Sequence, residues 1–303
     1  MTEIMTRAQI NDIFREHGFG DDNPIPSKVG FRNQVYLGEH AVLKVYPEDN
    51  LRGYRCERWF YESADRPYAP KLYAAGKNWL LLERIHGVGL FRYWRDISDR
   101  ERYDLVRKIS EIALAVSASD LTDTSAFLEY RTDFGAALLA EIESLAAKLR
   151  QMHGIEEELL SQVLDYAHRF AGVFDDTELY LVYDDLHFDN LIVTGEGRVV
   201  LLDFEMIQAA PKDLVLDVWH RMLIHPFTYA NEEDDPYTRA EDYTHLLSWM
   251  RQCAPSLFSH PEVYRRVNLY GIRYELDLLC EFPMAKWPRE RLRIYLSEAL
   301  DQY

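Results

Sequence analysis

Near the start of the chain, hydrophobic positions gather in short segments of strand length, separated by polar ones. Residues 28–38 and 40–47 are rich in β-branched and aromatic side chains, and Gly38, Glu39 and His40 separate them as a turn, so the pattern predicts a hairpin. Residues 51–64, with Trp59 and Phe60 among charged neighbours, have helical length, and the compact apolar run 79–85 suits a buried strand. The spacing of apolar positions then becomes helical. Ser98 with Glu101 three residues on reads as a capping box, after which Leu105, Ile109, Ile112 and Val116 recur on one helical face. Residues 134–152 and 155–170 give two more helices, with Gly154 as the stop between them. Short β-rich runs return at 179–183, 191–194 and 198–204, the last two joined through Gly195-Glu196-Gly197, and 212–303 reads as long aromatic-rich helices. The expected class is α+β: a mixed first part and a mainly helical second part.

Composition narrows this. In 303 residues, 48% are hydrophobic and only 14 are Gly and 12 Pro, which excludes a disordered or collagenous chain. With 34 basic against 51 acidic side chains the net charge is −17, which argues against nucleic acid or an anionic membrane as partner. Divided at Ile85 the charge is uneven: 12 basic and 12 acidic side chains in residues 1–85, 22 and 39 in residues 86–303. Two domains with these bounds are expected. Cys56, Cys253 and Cys280 are far apart and form no C-x-x-C, against a disulfide framework or a zinc site and in favour of a reducing compartment. The opening residues lack an apolar signal region and no run is long enough to cross a bilayer, so a soluble cytoplasmic protein is expected. No internal repeat is present. The acidic run 232–235 reads as a solvated loop, and oligomeric state is left open.

The candidate chemistry lies in Tyr183-Asp184-Asp185-Leu186-His187-Phe188-Asp189-Asn190, followed by the hairpin and then Asp203-Phe204-Glu205. If 191–194 and 198–202 pair antiparallel, the residues flanking the two strands lie at one end, making Asn190 and Asp203 neighbours. Asp185, in a non-helical loop five residues before Asn190, can face the same point. Oxygen ligands of this kind suit Mg2+, and a carboxylate outside the metal shell can orient or deprotonate an attacking hydroxyl.

Asp185-Leu-x-x-x-Asn190 followed by Asp203-Phe-Glu205 resembles the catalytic loop and metal-binding motif of the protein-kinase-like superfamily, whose pattern is D-L-x-x-x-N and then D-F-G. His187, and Glu205 in place of the last glycine, make it similar to the aminoglycoside phosphotransferase and choline kinase branch. The resemblance, which runs from about residue 28 to 217, implies a two-lobed kinase-like fold, ATP and Mg2+ as cofactors, and transfer of the γ-phosphoryl group to a hydroxyl of a small molecule. It implies Asp185 as the catalytic base or hydroxyl-orienting group, and Asn190 and Asp203 as Mg2+ ligands. It further implies Lys44 as the lysine on the nucleotide phosphates and Glu57 as the helix glutamate that holds it. Gly30 and Asn33 fall in the nucleotide-covering turn, and Glu83 and Ile85 in the hinge that binds adenine through backbone groups. Asp213 and Asp217 are alternative acceptor-lining residues; spacing does not choose between them, and a role as helix-start carboxylates is equally open.

The motif departs from the family's H-G-D opening, having Tyr183-Asp184-Asp185. If Asp184 and Asp185 both faced the pocket one pKa would rise; the expectation is that they point to opposite sides of the loop. His187 reads equally as a brace of the loop or a substrate contact. His86, His220, His225 and His260 lack metal-ligand spacing, Gly18 and Gly20 make no dinucleotide fingerprint, and no P-loop is present. The acidic second part favours a cationic acceptor of aminoglycoside kind. A kinase of choline, ethanolamine, homoserine or a sugar is the alternative among enzymes, and a nucleotide-binding pseudokinase the alternative outside them.

Overall fold

The computed structural model of the chain describes residues 5–27, 33–121, 128, 133–152, 155–226 and 238–297. Gly30, Gly154 and the run 232–235 lie outside the described residues. The chain forms two compact units. The first comprises Met1–Asp96, Ala126–Leu128 and Phe188–Ile207; the second comprises Ile97–Ser125, Glu129–His187 and Gln208–Tyr303.

The first unit is built on a five-stranded sheet in the order β1-β2-β3-β5-β4, with β1 Ile25–Pro26, β2 Gln34–Leu37, β3 Ala41–Val45, β4 Leu72–Ala75 and β5 Trp79–Glu83. The expected hairpin is β2–β3, antiparallel with Val35 opposite Lys44. Its turn is closed by the Gly38 amide on the Ala41 carbonyl at 2.8 Å, while the Asp22 carboxylate accepts the His40 and Ala41 amides at 2.9 and 3.3 Å. A Cβ on Gly38 would stand 2.6 Å from the Phe14 ring, so glycine is required there by packing. Helix α1 (Arg7–Glu16) presents Ile10, Ile13 and Phe14 to Ala41, Leu43, Val45 and Leu81, which covers one face of β3. The residues between those, Lys44 among them, face the other way, toward helix α2 (Leu51–Ser63). A second sheet, β6-β8-β9 (Gly87–Gly89, Leu191–Thr194, Val199–Leu201), follows the expected pairing through Gly195–Gly197, and Gly197 takes the positive φ of 75° that the turn needs. Helix α3 (Leu90–Trp94) packs Phe91 and Trp94 against Phe188, with ring centroids 5.6 and 4.8 Å apart.

The second unit holds α4 (Asp99–Ser117), α5 (Phe134–Met152), α6 (Glu157–Phe170), α7 (Val215–Ile224), α8 (Leu246–Cys253), α9 (Val263–Glu281) and α10 (Trp287–Leu296), with β7 (Tyr180–Tyr183) paired to β10 (Ile207–Ala210). The Ser98/Glu101 capping box is formed at the start of α4. Helix α9 packs against α5, α7 and α10 and is buried on most sides, including Arg266 and Glu275. These charges are paired: Arg266 with Asp213 at 2.8 Å, Arg291 of α10 with Glu275 through two contacts at 2.6 and 2.8 Å. Burying either charge alone would cost several kcal/mol, on the order of 3–5 for a broken pair, so the pairs are conditions of this packing rather than surplus stability. All three cysteines are free, and no described helix is long and apolar enough to cross a membrane.

Candidate active site

Lys44 is placed by β3 and held by α2. Its Nζ donates to Glu57 Oε2 at 2.6 Å and to Asp203 Oδ1 at 2.8 Å. Glu57 is 1% exposed and takes two further hydrogen bonds, from Tyr46 Oη to Oε2 at 2.5 Å and from Tyr61 Oη to Oε1 at 3.3 Å. Burial works against the Lys44 charge, but Glu57, Asp203 and Glu205 outweigh it and raise the ammonium pKa above its ordinary value. Burial, then the negative charge of Glu57, holds both phenols well above their usual range, so they stay protonated and donate. Glu57 itself is raised by burial against the pull of Lys44.

The Asp203-Phe204-Glu205 turn rests on the same helix. Asp203 adopts φ 62° and ψ 68°, a left-handed conformation that Asp tolerates better than most residues and that costs backbone strain. Phe204 stacks on Phe60 of α2 at 3.9 Å and meets Tyr61 edge-on at 5.5 Å, which fixes the turn to the helix that carries Glu57. Glu205 Oε2 accepts from the Asn33 and Asn50 amides, each at 2.9 Å, and Asn50 also donates to Asn33 Oδ1 at 3.0 Å. Gly53 of α2 permits this approach: a Cβ there would lie 2.9 Å from Glu205 Oε2. Oxygens of Glu57, Asp203 and Glu205 lie within 4.8 Å of one another, but Glu57 is taken up by Lys44, Tyr46 and Tyr61, which leaves the 37%-exposed Asp203 carboxylate as the hard oxygen donor of the kind that suits Mg2+. Asn190 directly precedes β8, and its carbonyl accepts the Leu202 amide at 2.8 Å, so the hairpin brings Asn190 alongside the residue before Asp203.

In the second unit, the Asp184–His187 loop leaves β7 and is held by α7. The Trp219 indole donates to the Leu186 carbonyl at 3.0 Å. His187 Nε2 stands 3.3 Å from Asp185 Oδ1, and its amide donates to the Asp185 carbonyl at 2.8 Å, so His187 braces the loop. Asp185 keeps its side chain 38% exposed. Asp184 is half-buried and accepts from Gln208 Nε2 of β10 at 2.7 Å. Burial and Asp217 push its carboxyl up to about 7, against Arg221 and Arg273, with Asp185 the smallest of these influences.

Of the residues singled out from sequence, the structure brings together Lys44, Glu57, Asp203 and Asn33. The Glu83 amide donates to the Lys71 carbonyl at 2.8 Å, Arg84 is bonded to His40, and Ile85 lies buried between β5 and β6. Both oxygens of Asp213 are engaged, by Arg266 at 2.8 Å and by Tyr270 Oη at 2.7 Å, in a buried knot. Asp217 is 3% exposed and pairs through Oδ2 with Arg221 at 3.0 Å. Sequence reasoning passed over Tyr46, Tyr61, Asn50, Gln208 and Trp219.

Comparison with known families matches residues 23–253 to the phosphotransferase enzyme family. The chain belongs to this family. Among solved structures, this phosphotransferase family member is similar to the choline kinase of Cryptosporidium parvum, with 14% identity, 98% of this chain and 97% of that chain covered, and a TM-score of 0.71. It is also similar to the streptomycin–ATP complex of the aminoglycoside phosphotransferase APH(2'')-IIa (14% identity, 99% and 97% coverage, TM-score 0.66). A thermostable mutant of APH(4)-Ia with ADP and hygromycin B gives 15% identity, 95% and 97% coverage and a TM-score of 0.67. No curated protein matches the sequence. At these identities the likeness shows the fold, which is the α+β protein-kinase-like fold expected from the motifs.

Proposed function

We propose that this family member transfers the γ-phosphoryl group of ATP to a hydroxyl of a small molecule. The observation that carries this reading is the convergence on Lys44 of Glu57 and Asp203, 13 and 159 residues away in the chain, which a packing role alone does not demand. Lys44, held by Glu57, binds the nucleotide phosphates as a fixed positive charge. Mg2+, with Asn190 and Asp203 as its proposed ligands, supplies neutralisation of phosphate charge when bound. Asn33, held by Glu205, and Gly30 contribute to the nucleotide site in this reading, and backbone groups at Glu83 and Ile85 take the adenine. Asp185 accepts the proton of the acceptor hydroxyl as its oxygen bonds to the γ-phosphorus and the bond to the β-phosphate bridging oxygen breaks, releasing ADP. The work is positioning and charge stabilisation, with no covalent intermediate on the protein.

For the acceptor, a cationic small molecule is favoured: residues 86–303 carry 39 acidic against 22 basic side chains, and of the two carboxylates considered, Asp217 has an oxygen not taken by Arg221 whereas Asp213 has none to spare. The solved structures named above act on or bind an amino-alcohol or aminoglycosides, which supports the same class. The free cysteines agree with a reducing, cytoplasmic setting. The test is phosphate transfer from ATP assayed against aminoglycosides, choline, ethanolamine, homoserine and neutral sugars. Transfer to a cationic acceptor is expected. A neutral sugar as best acceptor would overturn the substrate class, and nucleotide binding without transfer to any of them would favour the pseudokinase reading.

A further inference from the structure

At the position before Asp185, where the family pattern has glycine, this chain has a side chain able to make a tether. Asp184 Oδ2 receives the Gln208 Nε2 hydrogen bond at 2.7 Å, between the end of β7 and the adjacent strand β10. Two residues further on, the Leu186 carbonyl is held by the Trp219 indole at 3.0 Å. The backbone of Asp185 is thus pinned on its upstream side by a side chain on β10 and on its downstream side by one on α7.

We propose, resting on the phosphotransferase reading, that Asp184 is a positioning residue for Asp185, its carboxylate held by Gln208 so that the backbone ahead of the base is fixed. Without the upstream tether, the peptide between Tyr183 and Asp185 can rotate and the Asp185 carboxylate loses its aim at the acceptor hydroxyl. Near-attack geometry is sensitive to displacements of this size.

The tether also depends on protonation. A hydrogen bond to an ionised carboxylate is shorter and stronger than one to the neutral acid. The groups that bear on Asp184 are Asp217 and Arg221 of α7, Arg273 of α9 and the adjacent Asp185; Arg273 is itself paired with Glu141 of α5 at 2.7 Å. Burial and Asp217 together bring the Asp184 carboxyl up to about 7, inside the range in which the enzyme would work. As pH rises through that value the carboxylate forms, the Gln208 bond becomes charge-assisted, and the loop tightens.

The experiment is the pH dependence of kcat and of KM for ATP in the wild type, Asp184→Asn and Gln208→Glu, using the best acceptor found. The wild type should show an inflection in kcat near pH 7. Asp184→Asn, which keeps the shape and removes the charge, should lose that inflection and lower kcat roughly tenfold, with KM for ATP within about twofold. Gln208→Glu sets two carboxylates against each other and should move the inflection upward by about one unit. A merely structural role would lower the amount of active enzyme without moving the inflection. A profile of Asp184→Asn superposable on the wild type, or of Gln208→Glu unmoved, overturns the proposal while leaving the phosphotransferase reading intact. A wild type without turnover at any pH overturns both. Should Asp184→Asn fail to fold, the Gln208→Glu profile decides.

Discussion

In the first unit, Lys44 is the one buried cation among the described residues, and it serves two carboxylates, Glu57 and the 37%-exposed Asp203. In the second unit, two buried cations are matched to anions: Arg266 with Asp213 and Arg291 with Glu275. A matched, sealed pair has little left for a ligand and acts on packing. A cation shared between a buried and an open carboxylate leaves net negative charge beside it, which suits a divalent ion. Burial and charge are present in both regions, and what separates site from scaffold is whether the charge closes on itself.

Breaking a closed pair should have the largest effect on stability. Arg291→Met leaves Glu275 uncompensated at a site 0% exposed, and urea denaturation should show a loss of about 3–5 kcal/mol, much of it recovered in the double variant with Glu275→Leu. Lys44→Met should reverse the balance: turnover falls by about a hundredfold or more, while the melting temperature falls less than in Arg291→Met, because Glu57 keeps its two tyrosine donors. Smaller again is Tyr46→Phe, which removes one of those donors from a charged acceptor. A loss of about 1.5–3 kcal/mol is expected in urea, together with a raised KM for ATP as Glu57 holds Lys44 less well. Equal stability losses in Lys44→Met and Arg291→Met would erase the distinction between the regions.

The smallest effect is on the pH profile of stability. Asp184 titrates at about 7 in the folded chain against an ordinary value of 3.8, so between these the folded state holds the extra proton. Stability from this group is therefore complete below about pH 4 and is lost as pH rises through 7. Burial raises Glu275 in the same direction, against the pull of Arg291. Melting temperature should decline from pH 5 to 8, and Asp184→Asn should flatten part of that slope; a slope identical in both would contradict it.

Much of the first region was legible because its signals are local or motif-bound. The Lys44 strand and the hairpin through Gly195–Gly197 follow from segment composition and turn chemistry, as does the Ser98/Glu101 cap in the second unit, and the structure contains all of them. Three further signals lie in the sequence. Period two places Tyr46 on the Lys44 face, and a spacing of four places Tyr61 on the Glu57 face of α2. Helix α1 also announces itself by Ile10, Ile13 and Phe14 after the Thr6/Gln9 capping box. The rest was not legible for a physical reason. Asn50 and Glu205 meet across 155 residues, Asp213 and Arg266 across 53, and the Asp184–Gln208 bond depends on the pairing of β7 with β10, which no pattern within either strand specifies. The inclusion of Phe188–Ile207 in the first unit is likewise set by packing, such as Phe204 on Phe60, between segments remote in sequence.

The central claim, that Asp185 takes the acceptor proton in a phosphoryl transfer, is tested most directly by Asp185→Asn. Transfer from ATP should fall by about a thousandfold, while the thermal shift given by a non-hydrolysable ATP analogue with Mg2+ stays near that of the wild type. Turnover of Asp185→Asn equal to that of the wild type would contradict the account.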